Sequence, residues 1–205
     1  MKRAVLMALF ALALPLAAYG NTVDFTNHNG VLTGGSTGLT LAGSELTDVD
    51  GLGGLGLVQG NLGTLNFSTG ALTAGNLTTG ATFASGGTFV ITGNGTGNIP
   101  NGVIFNGSFS SAVTLTFEGT LPNGGELYEI SGSISGIWYN GKTVSGRTFQ
   151  DYVITGKNGF MGGSQTLGSG DTFISTSTVP EPGTLGLLGS GLVGLAGVVR
   201  KRMKA

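Results

Sequence analysis

The sequence predicts an all-β body folded as an antiparallel β-sandwich or jelly roll, with a short β-solenoid as the alternative. Three observations carry this. Glycine makes up 41 of the 205 residues, and each Gly inside a helix costs roughly 1 kcal/mol against Ala. Val113, Leu115 and Phe117 alternate with Thr114, Thr116 and Glu118, the two-residue period of a half-buried strand. Asn-Gly occurs seven times, at Asn29, Asn94, Asn101, Asn106, Asn123, Asn140 and Asn158, and both residues tolerate the positive φ of tight hairpins. Charged residues are only 9% of the chain, which excludes long charged surface helices, while 40% hydrophobic content is too apolar for plain disorder.

In chain order, strands are expected over 88–92, 103–109, 113–118 and 126–139. In the last of these Tyr128, Ile130, Ile134 and Trp138 share one face, and Glu129, Ser131, Ser133 and Ser135 the other. Asn140-Gly141 then turns the chain, and a return strand begins at Lys142. Further strands are expected over 147–155 and 171–176. Residues 51–86 read as irregular strands joined by large turns. Gly60-Asn61-Leu62 returns fifteen residues later as Gly75-Asn76-Leu77, but stacked repeats need at least three copies.

Both ends of the chain differ from this body. Met1-Lys2-Arg3 precedes an apolar run from Ala4 to Ala18, and Ala18-Tyr19-Gly20 places small residues where a signal peptidase reads. Residues 1–20 therefore read as a secretory signal peptide cleaved after Gly20. At the other end Pro180-Glu181-Pro182 is followed by 16 uncharged residues, Thr184 to Val199, and then by Arg200, Lys201, Arg202 and Lys204. As a transmembrane helix that stretch covers about 24 Å, a little under the hydrocarbon core. The basic cluster holds the C-terminus in the cytoplasm and puts the body outside.

A Pro-Glu-Pro motif, a Gly/Leu-rich apolar stretch and a terminal basic cluster, in that order, resemble the PEP-CTERM protein-sorting signal of Gram-negative bacteria. The resemblance spans residues 180–205. It implies recognition by exosortase at Pro180, Glu181 and Pro182, a transient inner-membrane anchor over 184–199, and membrane retention by Arg200, Lys201 and Arg202. It further implies a host that makes exopolysaccharide and a final place at the cell surface or in the extracellular matrix. The passenger then occupies residues 21–174, with a linker over 175–179.

From 21 to 179 there are three basic residues, Lys142, Arg147 and Lys157, against nine acidic ones, a net charge of −6. That excludes a nucleic-acid partner, which needs a basic footprint. The absence of cysteine excludes disulfides, thiolate metal sites and Cys nucleophiles. Gly51-Leu-Gly53-Gly-Leu-Gly56 matches GxGxxG in form, but no helix follows to receive a pyrophosphate, so it reads as a flexible turn. Asp48 and Asp50 begin like a calcium loop but lack its later carboxylates. Glu126 and Glu129 differ in parity and so face opposite sides of a strand, unlike a glycosidase pair. His28, the single histidine, stands near the mature N-terminus, where the chain is expected to fray.

The expectation is thus a non-enzymatic exported protein with no cofactor and no metal. Its partners are signal peptidase, exosortase and, at its destination, exopolysaccharide. Tyr139 and Tyr152 are the candidate ligand-stacking aromatics, since rings on a sheet face stack on sugars; Trp138 and Tyr128 read as core. A carbohydrate-binding module is the alternative, favoured if Tyr139 and Tyr152 share one exposed face. A secreted hydrolase is the more distant one, favoured if His28 or two carboxylates meet in a cleft.

Overall fold

The computed structural model describes residues 22–154 and 163–176. The candidate signal peptide, the sorting motif Pro180-Glu181-Pro182, the apolar stretch 184–199 and the basic cluster Arg200-Lys201-Arg202 lie outside the described residues. Residues 22–176 form one compact unit. Among the described residues there are twelve strands and two short 3-10 turns, and no helix is long and apolar enough to cross a membrane.

The strands are β1 (Thr22–His28), β2 (Val31–Gly35), β3 (Gly38–Asp50), β4 (Val58–Ser68), β5 (Leu72–Asn76) and β6 (Gly80–Phe83). They continue as β7 (Gly86–Asn94), β8 (Asn101–Phe109), β9 (Val113–Thr120), β10 (Glu126–Trp138), β11 (Thr143–Ile154) and β12 (Ser164–Ser175). Every pairing is antiparallel. The ring runs β1–β3–β4–β7–β8–β10–β11–β12 and returns to β1. The all-β expectation therefore holds at the level of fold class, and the architecture is a closed eight-stranded barrel in place of the expected sandwich. No stacked coils form over 51–86; both Gly-Asn-Leu copies lie in or beside antiparallel strands.

Four of the eight staves are interrupted without reversing. β1 and β2 both lie between β12 and β3, and Asn27↔Gly170 and Val31↔Thr166 keep one unbroken register across Asn29-Gly30. Asn29 and Gly30 take φ of 59° and 83°, so this Asn-Gly pair bends a strand where the sequence suggested a hairpin. The reason is a tight approach: a Cβ on Gly30 would meet the backbone of Ser44 on β3. β4/β5, β6/β7 and β8/β9 are similarly long staves with breaks at 69–71, 84–85 and 110–112. Such kinks let long twisted strands coil far enough to close a barrel. Asn140-Gly141 makes the tight hairpin expected of it, with Gly141 N donating to Trp138 O at 2.8 Å and Trp138 N to Lys142 O at 2.9 Å. Asn123-Gly124 turns β9 into β10 in the same way, with Gly124 N donating to Leu121 O at 2.9 Å and Leu121 N to Gly125 O at 2.7 Å.

Close strand approach accounts for other glycines. Gly136 and Gly107 face each other across β10 and β8. A Cβ on either would strike the partner's backbone, Asn106 O in one direction and Ser135 O in the other. The Asn-Gly pair at Asn106 thus serves strand packing inside β8.

The interior is filled. Phe67, Phe89, Phe105 and Phe109 form its centre, with Phe67 and Phe109 at 5.6 Å and 89°, and Phe89 and Phe109 at 5.6 Å and 89°. Edge-to-face pairs of this kind add about 0.5–1.5 kcal/mol each beyond burial. Trp138 packs edge-on to Phe25 at 6.0 Å, towards the end where β1 begins. β1 is held between two neighbours and buries Val23, Phe25 and Asn27, so the expected fraying around His28 gives way to an anchored strand.

Candidate functional site

The two candidate aromatics part company. Tyr152 is fully buried on β11, stacked on Tyr128 at 5.3 Å and 12°. Its even parity with Val144, Thr148, Gln150 and Ile154 points it into the barrel. It is therefore a core residue and forms no exposed face with Tyr139. Burial pushes its hydroxyl well above the usual tyrosine range, and the neighbouring Tyr128 adds to this. Tyr128 is itself pushed up to about 12 by burial and by its hydrogen bond with Glu126, 3.0 Å away.

Tyr139 is 47% exposed, on the barrel end where β1 begins. Its ring lies 5.4 Å from that of Trp138. It borders a shallow recess with Leu52, Gly53, Leu55, Asn98 and Pro100. This recess joins three loops, 51–57, 95–100 and 139–142. The first two share one design: Gly51 and Gly53, like Gly95 and Gly97, take positive φ, and Leu55 N and Ile99 N donate back to Leu52 O and Thr96 O at 3.0 Å. The GxGxxG-like stretch is thus an ordered 3-10 turn that drops Leu52 into the barrel end.

A groove that sequence reading did not single out lies where the ring closes. Phe149 on β11 and Phe173 on β12 stand 6.5 Å apart at 66°, on the outer face. The Arg147 guanidinium sits 5.3 Å from the Phe149 ring centroid. With Thr22, Ser145, Gly146 and Ser175 they line a groove of about 430 Å³. The cross-strand partners of the two rings are carboxylates: Asp171 opposite Phe149, and Asp24 opposite Phe173. Rings beside acceptors and one guanidinium can stack on an apolar face and bond polar groups at its rim.

Behind the groove the barrel interior is polar. Asn27 Nδ2 donates to Ser44 Oγ and to Gln150 Oε1, both at 2.8 Å. Gln150 Nε2 donates to Thr148 Oγ1 at 2.8 Å, and the Thr148 and Thr172 hydroxyls are 2.9 Å apart. All five residues are buried. A Cβ on Gly170 would collide with the Gln150 amide and push it out of this network. Polar residues therefore point in and phenylalanines out at this level. The parity of Tyr152 and Ile154 on β11, and of Ile174 on β12, was the signal that could have exposed both rings.

Carboxylates extend across the same outer face. Burial holds Asp24 above the usual range, with Asp171 and Asp50 reinforcing it; the Phe25 backbone opposes this by a hydrogen bond. Burial also raises Asp151, helped by Asp171 and Glu118. Glu129 rises by burial and by Asp151 and Glu118, while Ser131 and Arg147 pull the other way. Asp171 accepts from Thr26 Oγ1 at 2.9 Å. Asp48 accepts from Gln59. No group of three His, Asp or Glu is placed to hold a metal ion among the described residues. His28 Nε2 lies 4.0 Å from Glu45 Oε2, both partly exposed, and Glu126 and Glu129 stand on opposite faces of β10, as their parity requires.

Raised carboxyl pKa values mean that the folded chain binds more protons than the unfolded one above the ordinary carboxylate range. Stability from Asp24, Asp151 and Glu129 is then full near pH 4 and declines as pH rises through their folded pKa values. Melting temperature should fall between pH 4 and pH 7 at low salt. The slope should flatten in high salt and shrink in Asp151→Asn; an unchanged slope in that variant would refute the assignment.

Residues 178–202 match the PEP-CTERM protein-sorting motif, a span that includes Pro180, Glu181, Pro182, Arg200, Lys201 and Arg202. No curated protein and no solved structure matches the chain. The match lies wholly beyond the barrel, and it supports an exported protein with a membrane-associated C-terminal sorting tail that exosortase processes.

Proposed function

We propose that the chain is a non-enzymatic protein of the cell surface or extracellular matrix. A signal peptide over 1–20 carries it through the inner membrane. A helix over 184–199 anchors it briefly, with its C-terminus in the cytoplasm, until exosortase removes the tail. The observation that carries this reading is the PEP-CTERM match at 178–202. The barrel suits such a place. Its described surface is dominated by Thr, Ser, Asn and Gly, and it is acidic. Ring closure leaves only a short strand, β5, paired on one side among the described residues, which limits edge-to-edge aggregation. The intact mass of protein recovered from envelope and medium tests the route. A species beginning at Asn21 and lacking Arg200 to Ala205 is expected. A species retaining Arg200 to Ala205 in the inner membrane would make the tail a plain anchor and remove the support for a matrix role.

A second reading, a carbohydrate-binding module within that same setting, is favoured by the Phe149/Phe173 groove. It replaces the Tyr139/Tyr152 pair as the platform. The two rings offer apolar faces, while Asp24, Asp171 and Arg147 offer hydrogen bonds to hydroxyls. Aromatic faces and a few placed polar groups are how such sites orient a sugar. Retention of the protein on a column of the host's matrix polysaccharide should be lost in Phe173→Ala, whose ring is 38% exposed and not in the core. Equal retention of both proteins would leave the purely structural role standing.

A further inference from the structure

The exposed large apolar residues are unevenly spread over the two ends of the barrel among the described residues. Thr22 and Ser175 are cross-strand partners, so the chain enters and leaves the barrel at one point on one rim. The loops of that rim are 51–57 (Gly-Leu-Gly-Gly-Leu-Gly-Leu), 95–100 (Gly-Thr-Gly-Asn-Ile-Pro) and 139–142 (Tyr-Asn-Gly-Lys). Lys142 is their single charge. Seven large apolar residues are exposed among the described residues, and four of them gather at this end: Leu57 at 60%, Val103 at 53%, Ile137 at 50% and Tyr139. Leu55 and Val58 lie half-buried between them. Asp50 borders the rim at the end of β3 with Asp24 as its cross-strand partner, and Asp48 lies farther along the strand. At the other end the described turns are 36–37 (Ser-Thr), 77–79 (Leu-Thr-Thr) and 121–125 (Leu-Pro-Asn-Gly-Gly), and none of their residues is among the large exposed apolar ones.

Chain length limits how far this rim can lie from an anchored tail. Eight residues, 176–183, separate Ser175 from the uncharged stretch that begins at Thr184, a reach of at most about 29 Å fully extended. On the other side three residues separate the apolar run ending at Ala18 from Thr22. We propose that this rim is a bilayer-docking surface: while the tail is anchored, Leu55, Leu57 and Tyr139 enter the headgroup boundary of the membrane that holds it. The inference rests on the anchored-tail reading of residues 184–199. Apolar loop tips with an interfacial tyrosine are the usual chemistry of such contacts, and exposed apolar patches of this kind mark interaction surfaces. Asp50 and the carboxylates behind it set the depth, since they stay in water, and binding depends on apolar burial with little help from charge.

The absence of native cysteine makes the test direct. The full chain, recovered from a host without exosortase, is reconstituted in vesicles of phosphatidylethanolamine and phosphatidylglycerol. Single cysteines are introduced by Leu57→Cys, Ser36→Cys and Gly194→Cys and labelled with an environment-sensitive fluorophore. Folding of each variant is checked by the emission of Trp138. The proposal expects the probe at 57 to shift to the blue and to be quenched by nitroxide lipids, in low and high salt alike. The probe at 36 should remain as in water. Quenching at 194 with none at 57 overturns the docking surface and leaves the anchor intact. Quenching at neither overturns both. Equal quenching at 57 and 36 also overturns the proposal, because the rim would then be no different from the opposite end.

Discussion

Closure of the ring by the β1/β2 stave against β12 is the interaction on which the rest of this structure depends. Without it the chain would be an open antiparallel meander with two long edges, and open edges invite pairing with other chains. Closure also places Phe25 against Trp138 and brings Asn27 within reach of Gln150. It adds Thr22 and Asp24 to the Phe149/Phe173 groove, and it sets Thr22 beside Ser175. Strands about 150 residues apart in sequence must therefore meet. Such non-local pairing is slow to form, and it cannot be completed until Ser175 has followed the rest of the body out.

Much of the remaining structure serves that ring. With few charges and one His–carboxylate contact among the described residues, its stability comes from the phenylalanine cluster and from backbone pairing. Glycine supplies what closure requires of the backbone. Gly30 bends a stave where it approaches Ser44, and Gly107 and Gly136 let two strands lie against each other. Gly170 makes room for the amide at the centre of the buried polar network. That network holds strands β1, β3, β11 and β12 in register by directional bonds that apolar packing alone would not supply.

The parts of the fold legible in the sequence were those set by local alternation. The faces of β10 and the Asn140-Gly141 hairpin follow from neighbouring residues. Closure does not, because nothing in Thr22–His28 alone announces a partner at Ser164–Ser175. Asn29-Gly30 misled for a related reason: the same positive φ that suits a hairpin also suits a bend when both flanks keep their neighbours. The N-terminal half was harder to read because Gly interrupts its alternation within staves that register nevertheless holds together. At the candidate site hydrophobicity pointed the wrong way. Gln150 and Thr172 go inside because a network satisfies them, and Phe149 and Phe173 go outside because parity leaves them no choice. The sorting tail was readable throughout, since its three parts act as linear chemistry and need no fold.

The barrel and the tail meet in function through the place where the chain leaves the ring. The sorting signal begins a few residues beyond the last strand, and closure next to that exit keeps the ends of the barrel from fraying. The most direct test of this account is a cross-strand crosslink at the closure in the otherwise cysteine-free chain. Thr22→Cys with Ser175→Cys should form a disulfide under mild oxidation, seen in the intact mass as the loss of two hydrogens. It should form as readily as in a control pair within the β10–β11 hairpin, Ser135→Cys with Ser145→Cys. A control that crosslinks while the Thr22/Ser175 pair stays reduced would show that the ring is open.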